Sequence, residues 1–183
     1  MIQRFSFLIL TSALFFCTID EPVLSNELNR HPSGEDVYQE IGYTTPEEAA
    51  SEFENYFKQD LRLPLRVPPI QFTHILGRFN NLNGDENDSF EIKYINEKAP
   101  DNHYKITIRP IPQKLKYTDD EVIKTIKLKD GSKAVYLDHS GFNVLVFEKD
   151  HWQYMLSVNK SVSALMLPGT LVQIANSIDS PEN

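Results

Sequence analysis

The chain of 183 residues predicts an α+β domain, a curved antiparallel sheet of about six or seven strands with an N-terminal and a C-terminal helix. Three observations predict it. Apolar residues recur at helical spacing from Ala49 to Phe57, alternate at a period of two after Gln71, and return to helical spacing between Leu171 and Ile178. At 40% apolar and 24% charged, the composition is that of an ordinary globular chain, which excludes a disordered or fibrous one.

The N-terminus directs export. Arg4 precedes a largely apolar run from Phe5 to Ile19, which Asp20, Glu21 and Pro22 end abruptly. A basic start followed by a short apolar stretch is the pattern of a secretory signal peptide, and the run falls short of the roughly 20 residues that a spanning helix needs. Cleavage after Ser25 is the leading expectation, making residues 1–25 the signal. Two rivals stand beside it: a lipoprotein signal ending at Cys17, the one cysteine in the sequence, and an uncleaved anchor. Leu14 suits the lipoprotein pattern, whereas Phe15 and Phe16 occupy positions where small residues are usual. A chain cut after Ser25 has no cysteine left for a disulfide.

Residues 26–44 are polar and aperiodic, with His31-Pro32-Ser33-Gly34 among them, and read as a tether between membrane and domain. The α+β domain is then expected over 45–178, with 179–183 as a tail. Thr45 suits an N-cap, Pro46 the first helical position, and Glu48 can close a capping box. Ala49, Ala50, Phe53, Tyr56 and Phe57 fall on one face of the helix, which should end near Gln59. Pro64, Pro68 and Pro69 keep Leu61 to Ile70 extended but out of an inner strand.

Strands follow. Phe90, Ile92 and Tyr94 alternate with Glu91 and Lys93, and Tyr104, Ile106 and Ile108 with Lys105, Thr107 and Arg109, giving each strand one dry and one wet face. Asp130-Gly131 between Val122–Lys129 and Ser132–Asp138 is a strong hairpin signal. Ser140-Gly141 turns the chain into Phe142–Glu148, which reads as buried on both faces. A last strand carries Trp152, Tyr154, Leu156 and Val158 on one side. Leu171, Ile174, Ala175 and Ile178 form the closing helix, with Pro168 near its start.

Several chemistries are missing. A formal net charge of −8 argues against nucleic acid, whose binders need a basic stripe to displace phosphate counterions. The seven glycines form no phosphate loop, nucleophile elbow or dinucleotide fingerprint. His31, His74, His103, His139 and His151 show no metal-ligand spacing. Asn81, Asn83, Asp85, Asn87 and Asp88 place Phe79 and Phe90 where a calcium loop needs ligands, so they read as a solvated turn. Asp138-His139-Ser140 has the residue types of a hydrolytic triad, but consecutive residues cannot converge on one point. Asp119-Asp120-Glu121 reads as a wet strand edge. No catalytic, cofactor-binding or metal-binding residue is expected, and the chain reads as a non-enzyme.

Phe90-Glu91-Ile92-Lys93-Tyr94, Tyr104-Lys105-Ile106-Thr107-Ile108, Lys129-Asp130-Gly131-Ser132, Val144-Leu145-Val146-Phe147, Trp152-Gln153-Tyr154 and Ile174-Ala175-Asn176-Ser177-Ile178 together resemble a family. It is the uncharacterised C-terminal domain of many Gram-positive sporulation and anti-sigma-factor-like membrane proteins and lipoproteins. That domain is similar to the half-barrels of lipoprotein-sorting carriers. The resemblance implies a curved sheet presented to partners and no catalytic residues.

The expected function is that of an extracytoplasmic accessory or sensory module, secreted or attached to the outer face of the cell membrane. Its partner is expected to be an envelope protein or an apolar ligand, with membrane contact only through the N-terminus. Phe90, Tyr94, Tyr104, Trp152 and Tyr154 either line a groove for such a ligand or fill the sheet's own core. The alternatives are a secreted hydrolase of an envelope substrate, with His103 or His139 the first residues to mutate, and a purely structural domain.

Overall fold

A computed structural model describes residues 34–81, 88–162 and 168–178, and seven strands among them form one antiparallel sheet. These are β1 (His74–Asn80), β2 (Ser89–Ile95), β3 (His103–Pro110), β4 (Val122–Lys127), β5 (Lys133–His139), β6 (Phe142–Lys149) and β7 (Trp152–Asn159). Their spatial order is β1-β2-β3-β7-β6-β5-β4, so two meanders meet where β3 pairs with β7. The crossover between meanders, residues 111–121, is pinned to β7: the Gln153 side-chain amide accepts from the Leu115 N–H at 2.7 Å and donates to its carbonyl at 3.1 Å.

The expected turns are where the sequence puts them. Ser140 and Gly141 both take positive φ (49° and 84°) between the paired residues His139 and Phe142. That is the primed geometry whose twist matches the flanking strands. Gly131, at φ 88°, closes the β4–β5 turn by donating to the Leu128 carbonyl at 3.0 Å.

The first expected helix is α2 (Pro46–Phe57), after α1 (Gly34–Glu40). Thr45 caps α2 through its hydroxyl, which accepts from the Glu48 N–H at 3.2 Å, and Glu48 returns the bond to the Thr45 N–H at 3.4 Å. Lys58 ends it in the left-handed conformation. Ala49 and Phe53 are buried, but Tyr56 is 47% exposed, so the buried stripe is narrower than the spacing suggested. The third helix, α3 (Pro168–Ala175), buries Leu171, Ile174 and Ala175, and Ile178 just beyond its end.

One face of the sheet carries the larger core. Phe90, Ile92, Tyr104, Ile106, Ile108, Leu145, Phe147, Tyr154, Leu156 and Val158 share it with Phe53 of α2 and with Leu171 and Ile174 of α3. Phe53 sits 4.8 Å from the Trp152 ring and 5.8 Å from Phe90, and Phe147 stacks on Tyr154 at 5.1 Å. The proline-bearing segment before β1 forms no strand, as expected, and its carbonyls serve the core instead. The Trp152 indole donates to the Asp60 carbonyl and the Tyr154 hydroxyl to that of Arg62, each at 2.9 Å. Two large aromatics thereby bury their polar ends without a desolvation penalty. On the opposite face Val135, Leu137, Val144 and Val146 form a second cluster, with Tyr117 from the crossover packed on it. Covering on both sides explains the unbroken apolar run of β6.

The expected tether needs correction over its C-terminal part. Gly34–Glu40 is helical, and Tyr43 is 2% exposed. Thr44 exchanges two backbone hydrogen bonds with Gly77 of β1, at 2.8 and 2.9 Å. A helix of two turns that packs through aromatic rings onto charged side chains leaves no apolar period to read. Gly77 is required by the same contact, since a Cβ there would lie 2.5 Å from the Pro46 Cα. The signal expected over 1–25, including Cys17, the start of the expected tether, residues 82–87 and the tail 179–183 lie outside the described residues. Among the described residues no helix is long and apolar enough to cross a membrane.

Candidate functional site

Alternation along β1, β2 and β3 places Arg78, Glu91, Lys93, His103, Lys105 and Thr107 on the face opposite the larger core. Register sets them side by side: Arg78 opposes Glu91 and Glu91 opposes Thr107, while Lys93 opposes Lys105 and Lys105 opposes Ser157. Glu91 is the hub. It is 7% exposed, and its carboxylate lies 3.2 Å from the Lys105 ammonium and 3.5 Å from the Arg78 guanidinium. The Tyr43 hydroxyl donates to it as well. Burial pushes the Glu91 carboxyl up, but Lys105, the Tyr43 hydroxyl and Lys93 outweigh burial and hold it below the ordinary glutamate range. Tyr43 moves the other way, pushed well above a free tyrosine by burial and by the adjacent carboxylate.

Tyrosine rings roof this cluster. The Arg78 guanidinium lies 4.4 Å from the centre of the Tyr43 ring, and the Lys93 ammonium lies 4.7 Å from Tyr43 and 5.4 Å from Tyr38. The two rings meet edge to face at 5.5 Å. Such contacts satisfy a cation without neutralising it. Lys93 is half-buried, and burial, with Lys105 and Arg78 nearby, lowers its pKa against the pull of Glu91. His103 is lowered by burial and then by Lys93 and Lys105, so its ring is held neutral. Its Nε2 is buried without a hydrogen-bond partner among the described residues.

One concavity lies beside the edge strand β1, and another at the ends of the central strands β3 and β7. The first, of about 460 Å³, lies beside Tyr43 between Gln39, Thr45, Glu48 and Leu76. The other is an open groove of about 360 Å³ bordered by Phe57, Ile111, Pro112, His151 and the edge of Trp152.

Of the residues singled out in the sequence, His103 lies on this polar face and the others fall elsewhere. Phe90, Tyr104, Trp152 and Tyr154 are 0–2% exposed and fill the core, with Tyr94 partly buried beside them. Asp138, His139 and Ser140 do not converge. Asp138 pairs with Lys160, the His139 Nδ1 lies 2.8 Å from a Glu121 oxygen, and Ser140 occupies the turn. Glu121 also caps its own turn through Thr118, so the acidic run at 119–121 has one structural member. Near β1 the Thr73 hydroxyl lies 2.8 Å from the His74 Nδ1, but it also accepts from the Glu97 N–H at 3.0 Å, which ties it into a local strand-end network. Among the described residues no three His, Cys, Asp or Glu side chains group as metal ligands.

No family model, curated protein or solved structure matches this chain. The geometry of the site therefore has to speak for itself. Glu91, Lys93, Lys105 and Thr107 read in the sequence as wet-face residues of two strands and His103 as a lone histidine, while no local pattern marks Tyr38, Tyr43 or Arg78. Pairing Lys93 with Lys105 needs the strand register, which alternation alone does not supply.

Proposed function

We propose that the chain is an exported, non-enzymatic module of the cell envelope, and that it recognises its partner through the polar face of β1, β2 and β3. The observation that carries this reading is the charge of that face. Arg78, Lys93 and Lys105 surround a single carboxylate, Glu91, in a chain whose formal net charge is −8. A cationic concentration on an acidic protein, roofed by two tyrosines, favours an acidic partner and steers it to one surface.

The location belongs to the same proposal: export directed by residues 1–25, release after Ser25 or retention at the outer face of the membrane. So does the kinship with lipoprotein-sorting half-barrels, and with it a sheet curved around α2 and α3. Support for the curvature is that both helices contribute to the same core cluster.

An apolar ligand is the second reading, and the open groove beside Phe57, Pro112 and Trp152 favours it by size, since ligand sites span roughly 300–1,000 Å³. The core aromatics weigh against it, because Phe90 and Trp152 are packed on Phe53 of α2 and Tyr154 on Phe147. Native mass spectrometry of the full chain purified from its own host separates the readings. The proposal expects an acidic partner that is lost on Lys93→Glu and kept on Phe57→Ala. A lipid-mass adduct lost on Phe57→Ala and indifferent to Lys93→Glu contradicts it.

A further inference from the structure

Lys93 and Lys105 are directly opposite one another on β2 and β3. Like charges at such a position oppose strand pairing, and most sheets avoid them. Glu91 attracts both but forms an ion pair with Lys105 alone of the two. Its two oxygens are engaged by Lys105, Arg78 and Tyr43, while Lys93 has tyrosine faces and no carboxylate within ion-pair distance among the described residues. Three cations against one carboxylate leave a local charge of +2. His103 lies diagonal to Lys93 on the same face with its unpartnered Nε2, and Ser157, opposite Lys105, adds a hydroxyl to the row. The Lys105 side chain is 36% exposed, which keeps the cluster open to solvent.

We propose that Lys93 and Lys105, with Arg78 behind them and His103 and Ser157 as neutral donors, form a binding site for a dianionic phosphate group. A phosphate carries about −1.5 to −2 charges near neutral pH and matches the local excess, whereas a carboxylate leaves half of it uncompensated. Lysine ammonium groups serve phosphate as point charges, and the Arg78 guanidinium is shared between Glu91 at 3.5 Å and the Ile41 carbonyl at 3.3 Å. The inference rests on the polar-face reading and gives its ligand a chemistry. The phosphate is either the free ion or the monoester terminus of a larger molecule.

Lys93→Gln tests it without threatening the fold. That change leaves the Glu91 contacts to Lys105, Arg78 and Tyr43 in place and removes a like-charge pair. The full chain is titrated with inorganic phosphate, glycerol phosphate and acetate by calorimetry, with the thermal midpoint followed alongside. The site predicts that phosphate binds and raises the midpoint, and that acetate binds at least ten-fold more weakly. In Lys93→Gln phosphate affinity falls at least ten-fold while the ligand-free midpoint stays level or rises. Glycerol phosphate binding as well as the free ion identifies a monoester terminus, and its failure identifies the free ion. Phosphate that binds Lys93→Gln as tightly as the parent, or does not bind the parent, overturns the site. Failure of the polar-face reading itself is told apart by cross-linking from Gln39 and His151, described at the end of the Discussion, because that readout needs no phosphate.

Discussion

The Tyr43 hydroxyl donates to the carboxylate of Glu91, 48 residues further along the chain, and so fastens the segment before α2 to the polar face of β2. One bond thereby joins the segment before α2 to the cluster that carries the proposed function.

Tyr43→Phe removes that bond and keeps the ring under Arg78. A hydrogen bond to a charged group contributes about 1.5–3 kcal/mol, and the loss should fall in that range. Urea unfolding followed by tryptophan fluorescence reads it directly, and Trp152 is the one tryptophan available. An unchanged midpoint contradicts the bond.

Gly77→Ala should destabilise by about 1–3 kcal/mol, the usual cost of overpacking. The added methyl meets Pro46 Cα at 2.5 Å and the Thr45 carbonyl at 2.6 Å, both backbone atoms that cannot swing aside. The cap of α2 must move away from β1. Thermal unfolding checks this, and Thr45→Ala, which loses only the cap, should cost less, about 1 kcal/mol.

Trp152→Ala should cost about 3–5 kcal/mol, as for other large core aromatics. The indole is 2% exposed, packs against Phe53 and Phe57, and donates to the Asp60 carbonyl. A thermal midpoint like the parent's contradicts the burial.

Acid should weaken the fold at several carboxylates, among them Glu91, Asp130 and Glu121. Glu91 and Asp130 are both held below the ordinary carboxylate range, Glu91 against its burial by Lys105, Tyr43 and Lys93, and Asp130 at about 2 by the Ser132 hydroxyl and N–H. A carboxyl depressed in the folded state adds stability above its unfolded pKa, and that stability is lost as pH falls through the folded pKa. Stability should therefore begin to decline below about pH 6.5, where unfolded His103 takes up a proton that the folded ring resists, and fall further from about pH 4 downward as the carboxylates protonate. Glu91→Gln should flatten part of that decline. A parent and variant with parallel pH profiles contradict the role of Glu91.

Most of the architecture was legible because it rests on local signals. The capping residues Thr45 and Glu48, the Ser140-Gly141 turn and the alternation in β2, β3 and β7 each act within a few residues, and each appears where the sequence put it. The strand order was not legible, because the crossover from β3 to the far edge is fixed by contacts such as Leu115 with Gln153, 38 residues apart. The polar site was hidden for the same reason. Lys93 and Lys105 look like ordinary wet-face residues until register sets them opposite each other. Tyr43 looks like the end of a tether until Glu91 and Arg78 gather around it.

The central claim is that the polar face of β1–β3 is the recognition surface. A photo-reactive residue is placed at Gln39, on the exposed rim beside Tyr43, or at His151, on the rim of the groove by Trp152, and cells of the host are irradiated. The account predicts a discrete cross-linked product from position 39 that disappears when Lys93→Glu is added, and none from position 151. A product from position 151 alone, unaffected by Lys93→Glu, contradicts it.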